Sequence, residues 1–308
     1  MNKLYNISLQ EFLSNESKRK LDEILSGVIK KSNKKFRDFI EYKSINKDKS
    51  KFNIIIPYYN RGTVFEYVLN YLIRSIGNND EFSITVVEMS EKQTVVNFCK
   101  DRKINYVWVD ITKNGKFNKS LCMNIGTTIS ESEWYMFYDI DLVSTDDFIS
   151  KVIENIGENY KVVQCFKHRK VIPIYEKQLD SLINGEIQIS SYSTNLEDYK
   201  DDETFIPFNA PGGIMLIEKQ IFNKVGGFDD LLFEGWGYED TFMWNKLSHF
   251  TQIKSANTPE ISVFHLWHPK SEEGDNNSNI FETIDNLDKN HLFELIEKLS
   301  EIFLSRLN

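Results

Sequence analysis

An abrupt change in hydrophobic pattern at residue 51 constrains the fold of this 308-residue chain more than any other feature. Before it, apolar residues recur at helical spacing. After it, short apolar runs alternate with amphipathic segments, a pattern typical of β–α–β units and of a mostly parallel sheet flanked by helices. We predict strands at 53–57, 84–88, 106–111 and 134–138, helices between them at 64–76, 94–100 and 118–130, and later strands at 162–168, 213–218 and 261–268.

Aromatic and polar residues collect at the carboxyl ends of the predicted strands. Tyr58, Asn60 and Arg61 follow the first strand, and Asp139 and Asp141 follow the fourth. Ligands of open α/β sheets bind in the crevice beyond the carboxyl ends of the strands. The sequence therefore predicts one ligand crevice that gathers these side chains.

Composition and charge argue against several classes of protein. Hydrophobic residues make up 41% of the chain, enough for a large core, and a net charge of −9 argues against a nucleic-acid partner. Since no run of 18 apolar residues occurs and the N-terminal segment lacks the apolar core of a signal peptide, we expect a cytoplasmic protein. The three cysteines lie far apart in apolar segments, which predicts buried thiols.

The N-terminal segment differs in charge from the rest of the chain. Residues 1–50 carry 12 Lys and Arg against 7 Asp and Glu, a net +5, which leaves −14 on the remainder. Leu21, Leu25 and Val28 lie at helical spacing between the basic clusters, which predicts a basic amphipathic helix. Such a helix either packs on its own domain or contacts a partner protein or the inner face of a membrane, and both readings stay open.

These patterns divide the chain into three parts. Residues 1–50 form a helical basic extension, and residues 51–270 form the main domain, with halves at 51–141 and 142–270. Residues 271–308 combine a flexible loop with a C-terminal amphipathic helix. The polar stretch 270–279 has the composition of a mobile loop, and we expect it to act as a lid over the crevice.

A divalent metal is the first chemistry that the crevice residues suggest. The carboxylates of Asp139 and Asp141 suit Mg²⁺ or Mn²⁺, although two aspartates at a strand end also commonly cap a helix or bond a turn. His265 and His268 end the last predicted strand, and imidazole ligands favour Mn²⁺ over Mg²⁺. Pro269 argues against a helical zinc motif at these histidines.

A second group of residues suggests the handling of a sugar. Glu239 and Asp240 follow the Gly235-Trp236-Gly237 turn, in which the glycines allow a tight bend. A sugar ring can stack on the flat face of Trp236 while a carboxylate takes a hydroxyl proton. Taken alone, two carboxylates at a helix start are also typical of capping and of compensation of the helix dipole.

Six motifs follow one another in an order known from one protein family. They are PYYNR at 57–61, FNK at 117–119 with NIG at 124–126, DID at 139–141, PGG at 211–213, NKVGGF at 223–228 and GWGYED at 235–240. From about residue 51 to 270 the chain resembles the metal-dependent, inverting glycosyltransferases of the GT-A fold. It is similar to the β-1,4-galactosyltransferases and their bacterial relatives, which include chondroitin-polymerase-like enzymes.

The resemblance implies a role for each matching position. Donor-binding roles fall to Pro57, Tyr58, Asn60, Arg61, Glu88, Phe117, Lys119 and Asp139 around the nucleotide and diphosphate, and to Gly212, Gly213 and Trp236 around the sugars. Asp141 would bind Mn²⁺ (or Mg²⁺) with His265 or His268, which the resemblance does not rank. Glu239 would hold a sugar hydroxyl, and Asp240 would be the catalytic base.

The resemblance implies transfer of a hexose or N-acetylhexosamine, with galactose or N-acetylgalactosamine expected, from a UDP-sugar to a glycan in bacterial glycan or glycoprotein synthesis. Two departures leave the acceptor open: Thr241 and Phe242 replace further acidic residues, and the disulfides of the animal enzymes are absent. Two alternatives remain. One is a module, or a partner subunit, that binds a nucleotide sugar without turnover, and the other is a metallohydrolase that releases free sugar.

Overall fold

The structure is a computed structural model that describes residues 2–157, 159–166, 170–193, 195–199, 208–209, 212–255, 262–269 and 276–307. Within these ranges the strands are β1 (Tyr42–Ser44), β2 (Lys49–Tyr58), β3 (Phe82–Ser90), β4 (Asn105–Asp110), β5 (Glu131–Tyr138), β6 (Leu142–Val143), β7 (Val162–Gln164), β8 (Lys170–Ile174), β9 (Phe208–Asn209), β10 (Ile214–Glu218), β11 (Ile253–Ser255) and β12 (Val263–Leu266).

These strands form two sheets. The larger has the order β1-β4-β3-β2-β5-β10-β7-β11, in which β4, β3, β2 and β5 run parallel and β10 runs antiparallel to β5. The smaller has the order β6-β12-β8-β9. Because β6 begins four residues after β5 ends, the chain passes from one sheet to the other through the Asp139–Asp141 segment.

Helices cover the larger sheet and extend the chain at both ends. They are α1 (Asn2–Lys31), α2 (Gly62–Ile76), α3 (Val96–Asp101), α4 (Ile111–Asn114), α5 (Lys119–Gly126), α6 (Phe148–Ile153), α7 (Glu176–Ile183), α8 (Lys219–Lys224), α9 (Glu239–Phe250), α10 (Asn277–Asp285) and α11 (Lys289–Leu307). None of the helices in the described ranges is long and apolar enough to cross a membrane.

The core explains why β2 reads as a continuous apolar run. Ile54 and Ile56 pack on the face covered by α2 and α3, while Ile55 packs on the opposite face against α5. A central parallel strand is buried on both faces, so it carries apolar residues at every position and not only at alternate ones. This packing fixes the direction of β2 and carries its last residues to the crevice.

The predicted strands and helices of residues 53–138 are confirmed, with boundaries that shift by a few residues. The predicted strand at 162–168 ends at Gln164, and its residues 167–168 lie outside the described ranges, as does residue 261 of the last predicted strand. The smaller sheet was not predicted, because β6, β8 and β9 are short and two to five residues give no clear periodicity.

The two ends of the chain pack against each other. Leu21 and Val28 of α1 are buried in a cluster with Leu295 and Leu299 of α11 and with Phe242 of α9. The apolar residues that α1 carries between Leu21 and Val28 are therefore covered by its own protein, as one of the two readings of the basic helix expects. A membrane or protein contact through the basic face of α1 stays a prediction.

Candidate active site

Asp141, His265 and His268 form a group whose ligand atoms all lie within 4.8 Å of one another. Residue Asp141 directly precedes β6, and β6 pairs with β12, which carries His265 opposite Leu142. The backbone N–H of Leu266 donates to the carbonyl oxygen of Asp141 at 2.8 Å. The smaller sheet thus joins two segments that are over a hundred residues apart, and it holds both histidines beside one carboxylate.

The charges in this group suit a divalent cation. Nε2 of His268 lies 3.1 Å and Nε2 of His265 lies 3.9 Å from the Asp141 carboxylate, with Nε of Arg61 at 4.0 Å. Burial alone would raise the pKa of Asp141, but the two imidazoles and Arg61 outweigh it and hold that pKa below its usual range. Burial lowers the pKa of His265, which favours the neutral, metal-binding imidazole.

A hydrogen bond outside the group orients His268. Its Nδ1 lies 2.7 Å from the carbonyl oxygen of Pro269, and a carbonyl only accepts, so Nδ1 carries the proton. Nε2 then faces Asp141, to which it donates when the ring is protonated; burial lowers the pKa of His268, but the bond to Asp141 outweighs burial and raises it. When Nε2 loses that proton, its lone pair becomes available to a metal. Metal-binding histidines commonly have this arrangement, in which an outer carbonyl fixes the tautomer.

Lys119, the first residue of α5, stands at the centre of the site. Its Nζ lies 2.9 Å from Asp139 Oδ1, 2.9 Å from Asp240 Oδ2 and 3.7 Å from Glu239 Oε1. Burial lowers the pKa of Lys119, but the three carboxylates outweigh it, so the pKa is well above the ordinary value and the amine stays charged. One ammonium therefore connects three residues that the sequence assigned to different tasks.

The three carboxylates around Lys119 do not all ionise easily. Burial raises the pKa of Asp139 to about 6, and burial together with Asp240 raises that of Glu239 to about 7. Burial also raises the pKa of Asp240, although Lys119 opposes the rise. A single positive charge does not balance three negative ones, and groups of this kind are suited to proton transfer near neutral pH.

Asp240 is held in place from two sides. Besides the bond to Lys119, its carboxylate lies against Gly212, where an added Cβ would meet Oδ2 at 1.7 Å. The other oxygen, Oδ1, is buried and has no hydrogen-bond partner among the described residues. A buried carboxylate oxygen in this state costs free energy unless a donor reaches it.

Gly213 and Gly212 bring β10 close to the first half of the site. Gly213 has a φ of +31°, a value that favours glycine, and its carbonyl oxygen accepts from the N–H of Asp139 at 2.8 Å. Pro211 of the same motif lies outside the described residues. The hydrogen bond to Gly213 thus fixes the backbone of the segment that contains Asp139 and Asp141.

The Gly-Trp-Gly turn places an aromatic ring beside Glu239. Trp236 is 47% exposed, and the N–H of Gly237 donates to Glu239 Oε2 at 2.8 Å. Glu239 and Asp240 begin α9, and the preceding residue, Tyr238, makes no side-chain cap. The carboxylates therefore lie at the positive end of the helix dipole, as the capping alternative expects, while Asp240 points to Lys119.

The nucleotide side of the crevice differs from the prediction at Tyr58. Its ring is buried in the core, 4.5 Å from the ring of Phe65, because strand alternation places it on the same face as Ile56. Tyr59 takes the outward position, is 42% exposed, and stacks on Phe117 at 5.3 Å with 19° between the rings. The period of two along β2 was the signal that could have separated the two tyrosines.

Pro57 is buried at the end of β2, whereas Asn60 is exposed and has a φ of +48°. Glu88 requires a correction, because its fully buried carboxylate accepts from the N–H of Thr94 at 2.9 Å and also accepts from the hydroxyls of Ser90 and Tyr106. These bonds tie the carboxylate to the loop that follows β3 and to the neighbouring strand β4. Glu88 therefore shapes the crevice without facing a ligand.

Sequence reasoning also missed the buried residues that hold α5, the helix of Lys119, in position. Asp230 forms a two-bond ion pair with buried Arg306 of α11, at 2.9 and 2.8 Å. Its other contacts reach α5, where Asn118 donates to its carbonyl oxygen and Asn124 to its carboxylate. The last helix of the chain thus steadies the helix that begins with Lys119.

The predicted lid is only partly described. Residues 270–275 lie outside the described ranges, and Asn277–Asn279 belong to α10, so the extension of the loop to residue 279 is wrong. Asn277 is instead a buried helix residue with hydrogen bonds to the Gly-Trp-Gly turn.

Comparisons with known proteins identify the family and the fold. The family described as "Glycosyltransferase like family 2" matches residues 53–278, well over half of the chain. The structure of S. aureus TarS 1-349 in complex with UDP-GlcNAc is 16% identical, covers 83% of this chain and 72% of that chain, and has a TM-score of 0.53. The complex of TarS with UDP is also 16% identical, covers 80% and 69%, and has a TM-score of 0.51.

The catalytic domain of Drosophila β1,4-galactosyltransferase 7, in complex with xylobiose, is 13% identical over 76% of this chain and 79% of that chain, with a TM-score of 0.47. A search of the curated proteins found no significant match. Since identities are low, the TarS structures show likeness of fold, and the family match rests on the sequence itself.

Proposed function

The chain belongs to the glycosyltransferase like family 2 and is a glycosyltransferase with the GT-A fold, and from this premise we propose a metal-dependent, inverting transfer of one sugar. The donor is a UDP-hexose or UDP-N-acetylhexosamine, with galactose or N-acetylgalactosamine first in order. TarS was solved with UDP-GlcNAc, which adds N-acetylglucosamine to the donors worth testing. The acceptor is a sugar hydroxyl.

The observation that carries the proposal is the partnerless oxygen of Asp240. Oδ2 is held by Lys119 at 2.9 Å, whereas Oδ1 is buried without a hydrogen-bond partner among the described residues. A sugar hydroxyl supplies the donor that this oxygen lacks. Asp240 then takes the hydroxyl proton as the sugar oxygen attacks the anomeric carbon, and the UDP departs from the opposite face.

Such a single displacement inverts the anomeric configuration, and it needs one base and no covalent nucleophile. Asp240 is the base, and Glu239, whose carboxylate is anchored by the N–H of Gly237, is placed to hold the same or a neighbouring hydroxyl. Trp236 offers an exposed ring on which the acceptor sugar can stack. The three residues follow one another within five positions, so a shift of the turn would move them together.

The group of Asp141, His265 and His268 fits Mn²⁺ well. One carboxylate and two imidazoles are ligands that Mn²⁺ accepts more readily than Mg²⁺. The hydrogen bond to Pro269 makes Nε2 the ligand atom of His268 once that nitrogen has lost its proton. When bound, the ion would neutralise the charge that grows on the departing diphosphate. Arg61, close to the carboxylate of Asp141, adds a positive charge on the same side.

Lys119 has two roles in this scheme. Without substrate its ammonium pairs with Asp139 and Asp240, which fixes both carboxylates and opposes the rise in the pKa of Asp240 that burial causes. With donor bound, the same charge lies where it can attract the diphosphate. On the nucleotide side, the stacked pair of Tyr59 and Phe117 offers an exposed aromatic surface for the uracil ring.

The first experiment identifies the donor. The purified protein is heated with Mn²⁺ and each of UDP-galactose, UDP-N-acetylgalactosamine, UDP-glucose and UDP-N-acetylglucosamine, and UDP release is measured with and without simple sugar acceptors. A donor at about a hundred times its Kd adds about 2.7 kcal/mol to the free energy of unfolding, so the true donor should raise the melting temperature most. If none of them stabilises the protein, the donor class is wrong.

The second experiment tests the base. Asp240→Asn should lower the transfer rate by about 10²- to 10⁴-fold while the affinity for Mn²⁺ and UDP, measured by calorimetry, is kept. Asp101→Asn, an exposed aspartate of α3, is the matched control and should transfer like the wild type. An unchanged rate in Asp240→Asn would show that another group removes the proton. Sugar release that does not depend on an acceptor would favour the hydrolase instead.

A further inference from the structure

The turn that carries Trp236 has backbone dihedral angles that need support from neighbouring residues. Gly235 and Gly237 have φ values of +77° and +114°, and Tyr238 has a φ of +69°. Glycine adopts such values readily, but a tyrosine in the left-handed region is strained and persists only when its surroundings hold it there. Other contacts must therefore keep this turn in its observed shape.

Asn277 supplies those contacts from the first position of α10. Its side-chain Nδ2 donates to the carbonyl oxygens of Glu234 at 2.9 Å, Gly237 at 3.1 Å and Trp236 at 3.4 Å, and its Oδ1 accepts from the N–H of Glu234 at 3.3 Å. The side chain is 2% exposed. One buried amide thus forms hydrogen bonds with the backbone of the turn on both sides of Trp236.

A second residue of α10 reinforces the first. Phe281 lies one helical turn after Asn277, and its ring stacks on that of Tyr238 with centroids 5.1 Å apart and 28° between the planes. Residues four apart share one face of a helix. This face of α10 therefore contacts both the turn and the strained residue that follows it.

We propose that Asn277 is a positioning residue for acceptor binding: it holds the 234–238 turn so that Trp236 and Glu239 face the incoming sugar. The inference rests on the transfer reaction proposed above. Glu239 is included because its carboxylate is anchored by the N–H of Gly237, a residue that Asn277 also holds. Phe281 supports the same turn through Tyr238.

In this role Asn277 affects binding of the acceptor and leaves binding of the donor unchanged. The described contacts of the Asn277 side chain all go to residues 234–237, and none goes to Lys119, to Asp139 or to the metal group. Loosening the turn therefore weakens acceptor binding while Mn²⁺ and UDP still bind. If Asn277 served only the stability of the fold, its substitution would lower the fraction of folded protein. The apparent affinities for the acceptor and for UDP would then weaken together.

The test uses Asn277→Asp, which keeps the shape of the side chain but removes its two N–H donors. The matched control is Asn279→Asp, the same change two residues later, where the side chain is exposed and, among the described residues, bonds only to Asn276. The KM for the sugar acceptor found in the donor screen should rise about tenfold or more in Asn277→Asp, because several buried hydrogen bonds are lost. The Kd of UDP with Mn²⁺ should stay at the wild-type value in both variants.

Fluorescence gives a readout that does not depend on turnover. Each variant is also made with Trp236→Phe, and subtraction of the two emission spectra isolates the fluorescence of Trp236. Acrylamide quenching then reports how accessible the Trp236 ring is to the quencher. We expect stronger quenching in Asn277→Asp than in Asn279→Asp. Equal quenching together with an unchanged acceptor KM would overturn the proposal, as would equal losses of acceptor and UDP binding.

Phe281→Leu is a milder variant for use if Asn277→Asp does not fold. It keeps an apolar side chain but removes the ring contact with Tyr238, so it should shift acceptor KM and quenching in the same direction. Wild-type levels of both would count against the proposal. If the wild type transfers sugar to no acceptor, the proposed function fails, while the quenching experiment still decides whether Asn277 holds the turn.

Discussion

Gly212→Ala is the sharpest perturbation that this structure offers. Gly212 does not have a left-handed backbone, so alanine can adopt its conformation without strain. The added Cβ, however, would lie 1.7 Å from Oδ2 and 2.1 Å from Cγ of Asp240, and Cβ atoms do not approach heavy atoms within 3.0 Å. The three atoms nearest the added Cβ all belong to the carboxylate that we assign as the base, so the substitution acts first on that group.

The size of the effect follows from these distances. To clear the methyl group the carboxylate must move by about 1 Å or more, which also breaks its 2.9 Å bond to Lys119. A displacement of about 1 Å in a reacting group costs about 10²-fold in rate. Crowding a packed site typically costs about 1–3 kcal/mol in the free energy of unfolding.

The assay measures the initial rate of transfer at saturating donor and Mn²⁺, with urea unfolding and UDP calorimetry on the same samples. Gly27→Ala, in α1 with open space around it, is the control for a glycine-to-alanine change. In an Asp240→Ala background, Gly212→Ala should cost much less stability, because the clashing carboxylate is gone. A Gly212→Ala enzyme with the wild-type rate would refute the placement of Asp240, and an equal stability loss in both backgrounds would refute the contact.

Three further predictions concern the metal, the protons and the support of the site. Asp141→Ala should remove the thermal stabilisation by Mn²⁺, because it deletes the carboxylate of the metal group; calorimetry that finds unaltered Mn²⁺ affinity would contradict this. Burial raises the pKa of Glu239 from 4.5 to about 7, so the folded state binds more protons than the unfolded state between these values, and the free energy of unfolding should fall by up to about 3 kcal/mol as pH rises through that range. Glu239→Gln should make this dependence shallower, with a remainder from Asp139, whose pKa burial raises to about 6; an equally steep profile in the variant would assign all of the dependence to other groups. Arg306→Met should lower the free energy of unfolding in urea by about 3–5 kcal/mol, because it leaves Asp230 buried without its partner; a loss below about 1 kcal/mol would show that the pair is not needed.

The parallel half of the fold could be predicted because its signals are local. Apolar runs such as Ile54–Ile56 and the amphipathic segments between them are periodic within a few residues, and their order along the chain specifies β–α–β units. The smaller sheet could not be predicted, because β6, β8 and β9 are too short to show a period and β6 pairs with β12 across more than a hundred residues. Glu88 was misassigned for another reason: Thr94, predicted as the first residue of a helix, lies in the loop before α3, where its N–H donates to the Glu88 carboxylate.

The sequence alone determined which chemical groups this protein possesses and roughly where the chain places them. Motif order and residue type pointed to Asp141, the two histidines, Lys119 and Asp240 before any geometry was known. Their distances are a different kind of information. Only the tertiary structure decided that one ammonium contacts three carboxylates, that Gly212 must lack a side chain, and that Asn277 holds the turn of Trp236. Each of these contacts joins residues that are distant along the chain, and their strength comes from burial, which no short stretch of sequence encodes.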